Sequence, residues 1–147
     1  MNGIYDEITS ALLNEAVKFH GHLGPFLILG LKAGLYANRV LGKDYFRTKA
    51  IVETRPSPPY SCLIDGIQVA TGCTMGKGNI MVREGESILI IFIKDNKLLK
   101  MKLKDDALKS LKEMSTKEDT EQKAFETINK SINELFDISI EEQKMSE

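Results

Sequence analysis

The segment that most limits how this chain can fold is PFLILGLKAGLYANRVL, Pro25–Leu41, whose middle carries Gly30, Ala33, Gly34 and Ala37. Pro25 suits the first turn of a helix, where its missing N–H costs nothing. Gly42 supplies the stop. Each glycine inside a helix costs about 1 kcal/mol relative to alanine. Two of them, spaced with alanines, answer a packing need: another backbone has to approach this helix closely.

The rest of the chain must supply that neighbour. Tyr5, Ile8, Leu12, Ala16 and Phe19 recur at steps of three and four and predict an amphipathic helix over residues 4–19, broken by Gly21 and Gly24. KAIVET, Lys49–Thr54, reads as a strand, and the prolines of RPSPPY prevent its continuation. Residues 62–70 predict a short helix with Leu63, Ile67 and Ala70 inward, followed by the glycine-rich loop TGCTMGKG. Three strands in hairpin order are expected next, over residues 80–83, 87–93 and 99–103. In the last, Leu99, Met101 and Leu103 alternate with lysines. Two helices then close the chain. One covers residues 105–114, and the other covers 121–136 with Phe125, Ile128, Ile132 and Phe136 inward. The polar end is expected to fray. This order predicts an α+β fold, a mostly antiparallel sheet packed by helices, as one domain over residues 1–147.

Charge and composition narrow the function classes. The 20 basic and 21 acidic residues nearly cancel and tryptophan is absent, so no electrostatic case exists for nucleic acid. No apolar run approaches the roughly 20 residues of a membrane span. SILIIFI, residues 87–93, reads instead as a buried strand. The acidic N-terminus lacks a signal-peptide pattern, and the expectation is a cytoplasmic protein. The two cysteines, Cys62 and Cys73, are then expected as thiols or ligands rather than a disulfide.

The residues that could carry chemistry begin with FHGHLGPF, which holds both histidines of the chain, His20 and His22. Extended backbone would turn both imidazoles to one side. The start of the second helix lies just beyond, where free N–H groups favour an anion. The competing reading has His20 capping the first helix and His22 in a surface loop. Cys62 stands at a helix N-terminus, a position that lowers a thiol's pKa. Asp65 is a ligand or general base, or else an acid favoured by capping and the helix dipole. His, His and Cys make a three-ligand set with an open fourth position, suited to zinc and other borderline divalent metals. Helical rise sets Cys73 roughly 15 Å from Cys62, too far for a disulfide or a shared ion. Cys73 is therefore a ligand at a second or dimer-shared site, or a buried small hydrophobe. The loop GCTMGKG fails the Walker spacing. Its Thr71, Gly72, Thr74, Gly76 and Lys77 could form a nest for an anionic ligand, or the glycines could serve a tight turn at positive φ.

FHGHLGPFLILGLKAG followed by CLIDGIQVATGCTMGKGNI resembles the FmdE family associated with formylmethanofuran dehydrogenase, over about Leu12 to Phe92. The resemblance implies an α+β domain, a homodimer, and a metal site near the histidines and cysteine. Carried over by position, it implicates His20, His22, Cys62, Asp65, Gln68, Thr71, Cys73, Thr74 and Lys77. Many members carry cysteine where Gly24 stands here and glycine where Phe26 stands, which leans this site toward histidine. No zinc-ribbon cysteines follow in the C-terminal third. The implied role is a metal-binding accessory factor to a molybdenum or tungsten formylmethanofuran dehydrogenase, handling metal or the anionic pterin cofactor. The rivals are a metal-dependent enzyme acting on a small C1-linked amide or pterin-like substrate, with Asp65 catalytic, and a metal-free structural component whose Gly30/Gly34 face packs on a partner chain.

Overall fold

The close neighbour demanded by the glycine-bearing helix comes from the same chain. The structure, a computed structural model, describes residues 7–113 and 116–143. Thr9 caps helix α1 (Ser10–His20), its hydroxyl accepting from the Leu12 N–H at 3.1 Å. Of the helix expected over residues 4–19, residues 4–6, with Tyr5, lie outside the described residues. Helix α2 (Pro25–Leu41) starts after extended Gly24 and ends at Gly42, as its sequence predicts. Helix α3 (Cys62–Thr71) lies against it. A Cβ at Gly30 would stand 2.0 Å from the Leu63 carbonyl oxygen, and one at Gly66 would stand 2.3 Å from the Leu27 oxygen. The Gly30/Gly34 face is therefore filled by α3, and the expectation that it packs on a partner chain is corrected.

The sheet orders its strands β2-β1-β3-β4-β5: β1 (Lys49–Thr54), β2 (Ile80–Glu84), β3 (Leu89–Lys94), β4 (Lys97–Leu103) and β5 (Phe136–Glu142). The pairs β1/β3, β3/β4 and β4/β5 are antiparallel. Two expectations fail here. The first is hairpin order: β2 pairs in parallel with β1, not with β3. Parallel neighbours need a long crossover, usually helical, and the segment holding α3 provides it. The chain then passes the end of β1, where the Gly85 N–H donates to Thr54 O at 3.1 Å. The second failure is the closing helix over residues 121–136. Helix α4 (Asp105–Leu111) is followed by α5 (Lys117–Ile128), the short α6 (Ile132–Leu135) and then β5. Ser131 and Glu134 form a reciprocal capping box that starts α6 afresh. Phe136, expected to end that helix, and residues 137–142, expected to fray, form an edge strand instead. Met114, expected in the helix of residues 105–114, lies outside the described residues.

One core lies between the inner sheet face and the helices. Val52, Ile90, Phe92, Leu99 and Met101 meet Phe26, Leu29 and Ala33 of α2, together with Ala107 and Leu111 of α4. Each large side chain so buried contributes about 1.5–3 kcal/mol of hydrophobic stabilisation. A second cluster, with Ala16, Leu27, Leu31, Ala70 and Ala124, ties α1, α3 and α5 to the other side of α2. Phe19 and Phe125, expected inward, are exposed. Among the described residues no helix is long and apolar enough to cross a membrane.

Candidate metal centre

Three chain segments meet at the N-terminal end of α2. His20 ends α1. Gly21 follows at φ 113° and donates its N–H to Val17 O at 2.7 Å, so Gly21 rather than His20 is the C-cap. That left-handed turn, not extended backbone, swings His22 back beside His20, with ring centroids 4.9 Å apart and planes tilted by 49°. Cys62 arrives from across the cleft as the first residue of α3, and the Gly30–Leu63 contact fixes its distance from α2. The result is one group, His20, His22 and Cys62, with a ligand atom from each within 4.8 Å of the others. Tetrahedral ligation at 2.0–2.3 Å spaces such atoms about 3.4–3.7 Å apart, so the widest pair needs to close by about an ångström.

His20 is the best defined member. Its Nδ1 lies 2.6 Å from Asp65 Oδ2. A carboxylate only accepts, so Nδ1 donates to it, which in the uncharged tautomer leaves the lone pair on Nε2. That Nε2 is buried and has no hydrogen-bond partner among the described residues. An orphaned acceptor inside a protein costs free energy, and an ion bound there would satisfy it. A carboxylate behind a ligating histidine is the arrangement that orients such rings and raises their basicity. Asp65 is held in turn: Gln68 Nε2 reaches Asp65 Oδ1 at 3.4 Å, and Gln68 Oε1 accepts the Met75 N–H at 3.1 Å. Both Asp65 oxygens are thus engaged within the chain. Cys62 behaves differently from its sequence expectation. Burial, and then the Asp65 carboxylate, push its thiol above its ordinary value. Desolvation here outweighs the helix N-terminus.

The remaining candidates lie elsewhere. Cys73 is fully buried beyond the far end of α3 and donates its thiol to Thr48 O at 3.3 Å. Burial raises its pKa as well. Thr71 is buried; its hydroxyl donates to Ile67 O at 2.7 Å and accepts the Cys73 N–H at 3.1 Å. In the glycine-rich loop, the N–H groups of Cys73, Thr74, Met75, Lys77 and Gly78 all donate within the chain. Lys77 Nζ donates to the Gly72 carbonyl beneath Tyr45 and Phe46. Gly72 and Gly78 sit at φ 79° and 73°, as the tight-turn reading of the loop requires. Gly76 is exposed at its tip.

Sequence reasoning missed the walls of the site. A cleft of about 260 Å³ opens at His20, His22 and Cys62, lined also by Phe26, Pro58, Pro59 and Thr120. Thr120 comes from α5, far along the chain, and no local pattern signals it. The prolines of RPSPPY do carry a signal, because a run that breaks a strand also makes a rigid wall. Gly24 closes the floor: a Cβ there would sit 3.1 Å from His22 Cε1.

A family model described as FmdE, molybdenum formylmethanofuran dehydrogenase operon, matches residues 19–144. A curated relative, a probable S-adenosyl-L-methionine-binding protein of Archaeoglobus fulgidus, is 39% identical over 88 residues, covering 54% of this chain and 23% of that protein. The chain thus spans 23% of that relative's length. The crystal structure of a tungsten formylmethanofuran dehydrogenase FmdE-like protein from Syntrophus aciditrophicus aligns with a TM-score of 0.59 at 19% identity, over 91% of this chain and 72% of that one. That likeness is one of fold. The family match takes in the histidine segment, α3 and the whole sheet, and the chain belongs to the FmdE family.

Proposed function

We propose that His20 Nε2, His22 and Cys62 Sγ hold one divalent transition metal, zinc foremost, with Asp65 as the positioning residue. The protein acts as an accessory factor to a molybdenum or tungsten formylmethanofuran dehydrogenase. The observation that carries the metal reading is the buried, unpartnered Nε2 of His20, a residue backed through Nδ1 by Asp65 and grouped with His22 and Cys62, one ligand atom from each within 4.8 Å of the others. A bound ion would supply a Lewis acid with one position open to the cleft. Asp65 would hold the His20 ring, Cys62 would ligate as its thiolate, and Phe26, Pro58 and Pro59 would screen one side from water. The start of α2 at Gly24, which has no side-chain cap, favours an anionic guest, which fits handling of an anionic pterin cofactor. The operon named in the family description supports the dehydrogenase link.

A second reading, a metal-dependent enzyme for a small C1-linked amide or pterin-like substrate, draws on the 260 Å³ cleft beside the open position. In it Asp65 still acts through His20 rather than on substrate, because its oxygens are engaged. Binding of S-adenosyl-L-methionine is not carried over from the archaeal relative, of which this chain spans 23%. Elemental analysis of untagged protein tests the common core of both readings. Near-stoichiometric metal in the parent, lost in His22→Ala, is expected. Full retention in the variant overturns the site.

A further inference from the structure

Helix α3 stands between the candidate ligands and the glycine-rich loop, and its Gln68 joins the two. Asp65 and Gln68 are three residues apart, on one face of the helix. Asp65 Oδ2 receives the His20 Nδ1–H at 2.6 Å, and Asp65 Oδ1 receives Gln68 Nε2 at 3.4 Å. Gln68 Oε1 accepts the Met75 N–H at 3.1 Å. The amide has no second orientation: a carboxylate only accepts and a backbone N–H only donates, so turning it over loses both bonds. A directed row of His20, Asp65, Gln68 and Met75 thus runs from the buried Nε2 to the loop tip, where Met75 is 77% exposed. The neighbouring amides are held differently. The Thr74 N–H donates to Asn79, the Lys77 N–H to Thr74, and the Gly78 N–H to the carbonyls of Thr74 and Met75. None of those bonds touches α3.

We propose that Gln68 is a positioning residue that couples the proposed metal site to the tip of the glycine-rich loop, so that metal affinity and the anchoring of Met75 rise and fall together. The proposal rests on the metal reading above. The slack in the row lies at the Gln68–Asp65 bond, whose 3.4 Å exceeds the usual range of about 2.7–3.2 Å. With Nε2 unligated, the His20 ring and the Asp65 carboxylate can turn as a pair. Ligation through Nε2 fixes the ring, the ring fixes Asp65 Oδ2, and Oδ1 is then held toward Gln68. Less side-chain freedom remains to be lost when the amide bridges Asp65 and Met75. Linkage makes the effect reciprocal: a contact that pulls the Met75 N–H off Gln68 lowers metal affinity by the factor by which metal steadies the loop. The tip is placed for such a contact, with Met75 and the adjacent Phe46 both at the surface. A partner touching the surface there would loosen an ion held in the cleft.

Zinc titration of the isotope-labelled full chain tests this, with amide exchange at Met75 read by NMR and zinc affinity read by chelator competition. Zinc is expected to slow Met75 exchange by about fivefold or more, saturating at one ion per chain. Gln68→Met, which keeps the length and removes donor and acceptor, should abolish that response and weaken zinc by a similar factor. Gln68→Glu keeps an acceptor for the Met75 N–H and loses the donor to Asp65. It should leave Met75 protected in the metal-free protein and unresponsive to zinc, an outcome that simple loss of packing would not produce. Stoichiometric zinc with Met75 exchange unchanged, or a zinc response that survives Gln68→Met, overturns the coupling and leaves the metal site standing. A parent that takes up no zinc overturns the metal reading and the coupling with it.

Discussion

Gly30→Ala separates the packing argument from simple helix propensity, because the two predict opposite signs. Propensity alone makes alanine better than glycine inside α2 by about 1 kcal/mol. The structure puts the new methyl carbon 2.0 Å from the Leu63 carbonyl oxygen, and real Cβ atoms do not approach closer than 3.0 Å. The difference, 3.0 − 2.0, requires α2 and α3 to part by at least 1.0 Å. The obstacle is backbone, with no rotamer that can yield. Overpacking of this kind costs about 1–3 kcal/mol, so the net loss after the propensity gain is about 0–2 kcal/mol, against a gain of about 1 kcal/mol from propensity alone. In urea, with a slope of about 2 kcal/mol/M, that lowers the midpoint by up to about 1 M at unchanged slope. The same displacement reaches the proposed metal site, because Cys62 adjoins Leu63 on α3 while His22 precedes α2. Metal distances tolerate about 0.2 Å, so affinity should fall by about tenfold or more. A Gly30→Ala protein that is more stable than the parent and binds metal equally well would refute the close-contact reasoning.

Other outcomes follow from the same geometry. Asp65→Asn should keep the fold and weaken metal binding by about 10–100-fold, because the ring of His20 loses its anionic support; competition with a chromophoric chelator measures this, and unchanged affinity would remove Asp65 from the site. Because burial and Asp65 raise the Cys62 thiol, the metal-free protein holds that proton at neutral pH and must release it on binding. Affinity should then rise about tenfold per pH unit until the thiol ionises. Calorimetry in buffers of differing ionisation enthalpy counts the proton, and a flat profile above the histidine range would contradict the assignment. Cys73→Ala should cost about 1 kcal/mol of stability and leave metal stoichiometry unchanged, since its thiol bonds Thr48 O in the core.

Elements whose signals are local were legible. Pro25 and Gly42 bound α2, three prolines end β1, and the alternation of Leu99, Met101 and Leu103 with lysines gives the two faces of β4. Pairing was not legible, because nothing in IMVRE says whether its partner is the next strand or the one before α3. The 25-residue separation of β1 from β2 was the available clue, since it holds a helix and so allows a parallel crossover. At the C-terminus, Phe125, Ile128, Ile132 and Phe136 mimic a single helical stripe by coincidence of spacing. The Ser131–Glu134 capping box and the alternation of Phe136, Ile138 and Ile140 were the signals to read instead. The histidine pair and Cys62 stand out from residue type and spacing. The Asp65–His20 contact, 45 residues apart in sequence, depends on how α3 seats on α2 and has no local signature.

X-ray absorption at the metal edge of zinc-loaded, untagged protein tests the centre most directly. Two nitrogen scatterers at about 2.0–2.1 Å and one sulfur at about 2.3 Å, with the sulfur lost in Cys62→Ala, is the predicted first shell. A shell of oxygens alone, or one whose sulfur survives Cys62→Ala, would contradict a site built from His20, His22 and Cys62.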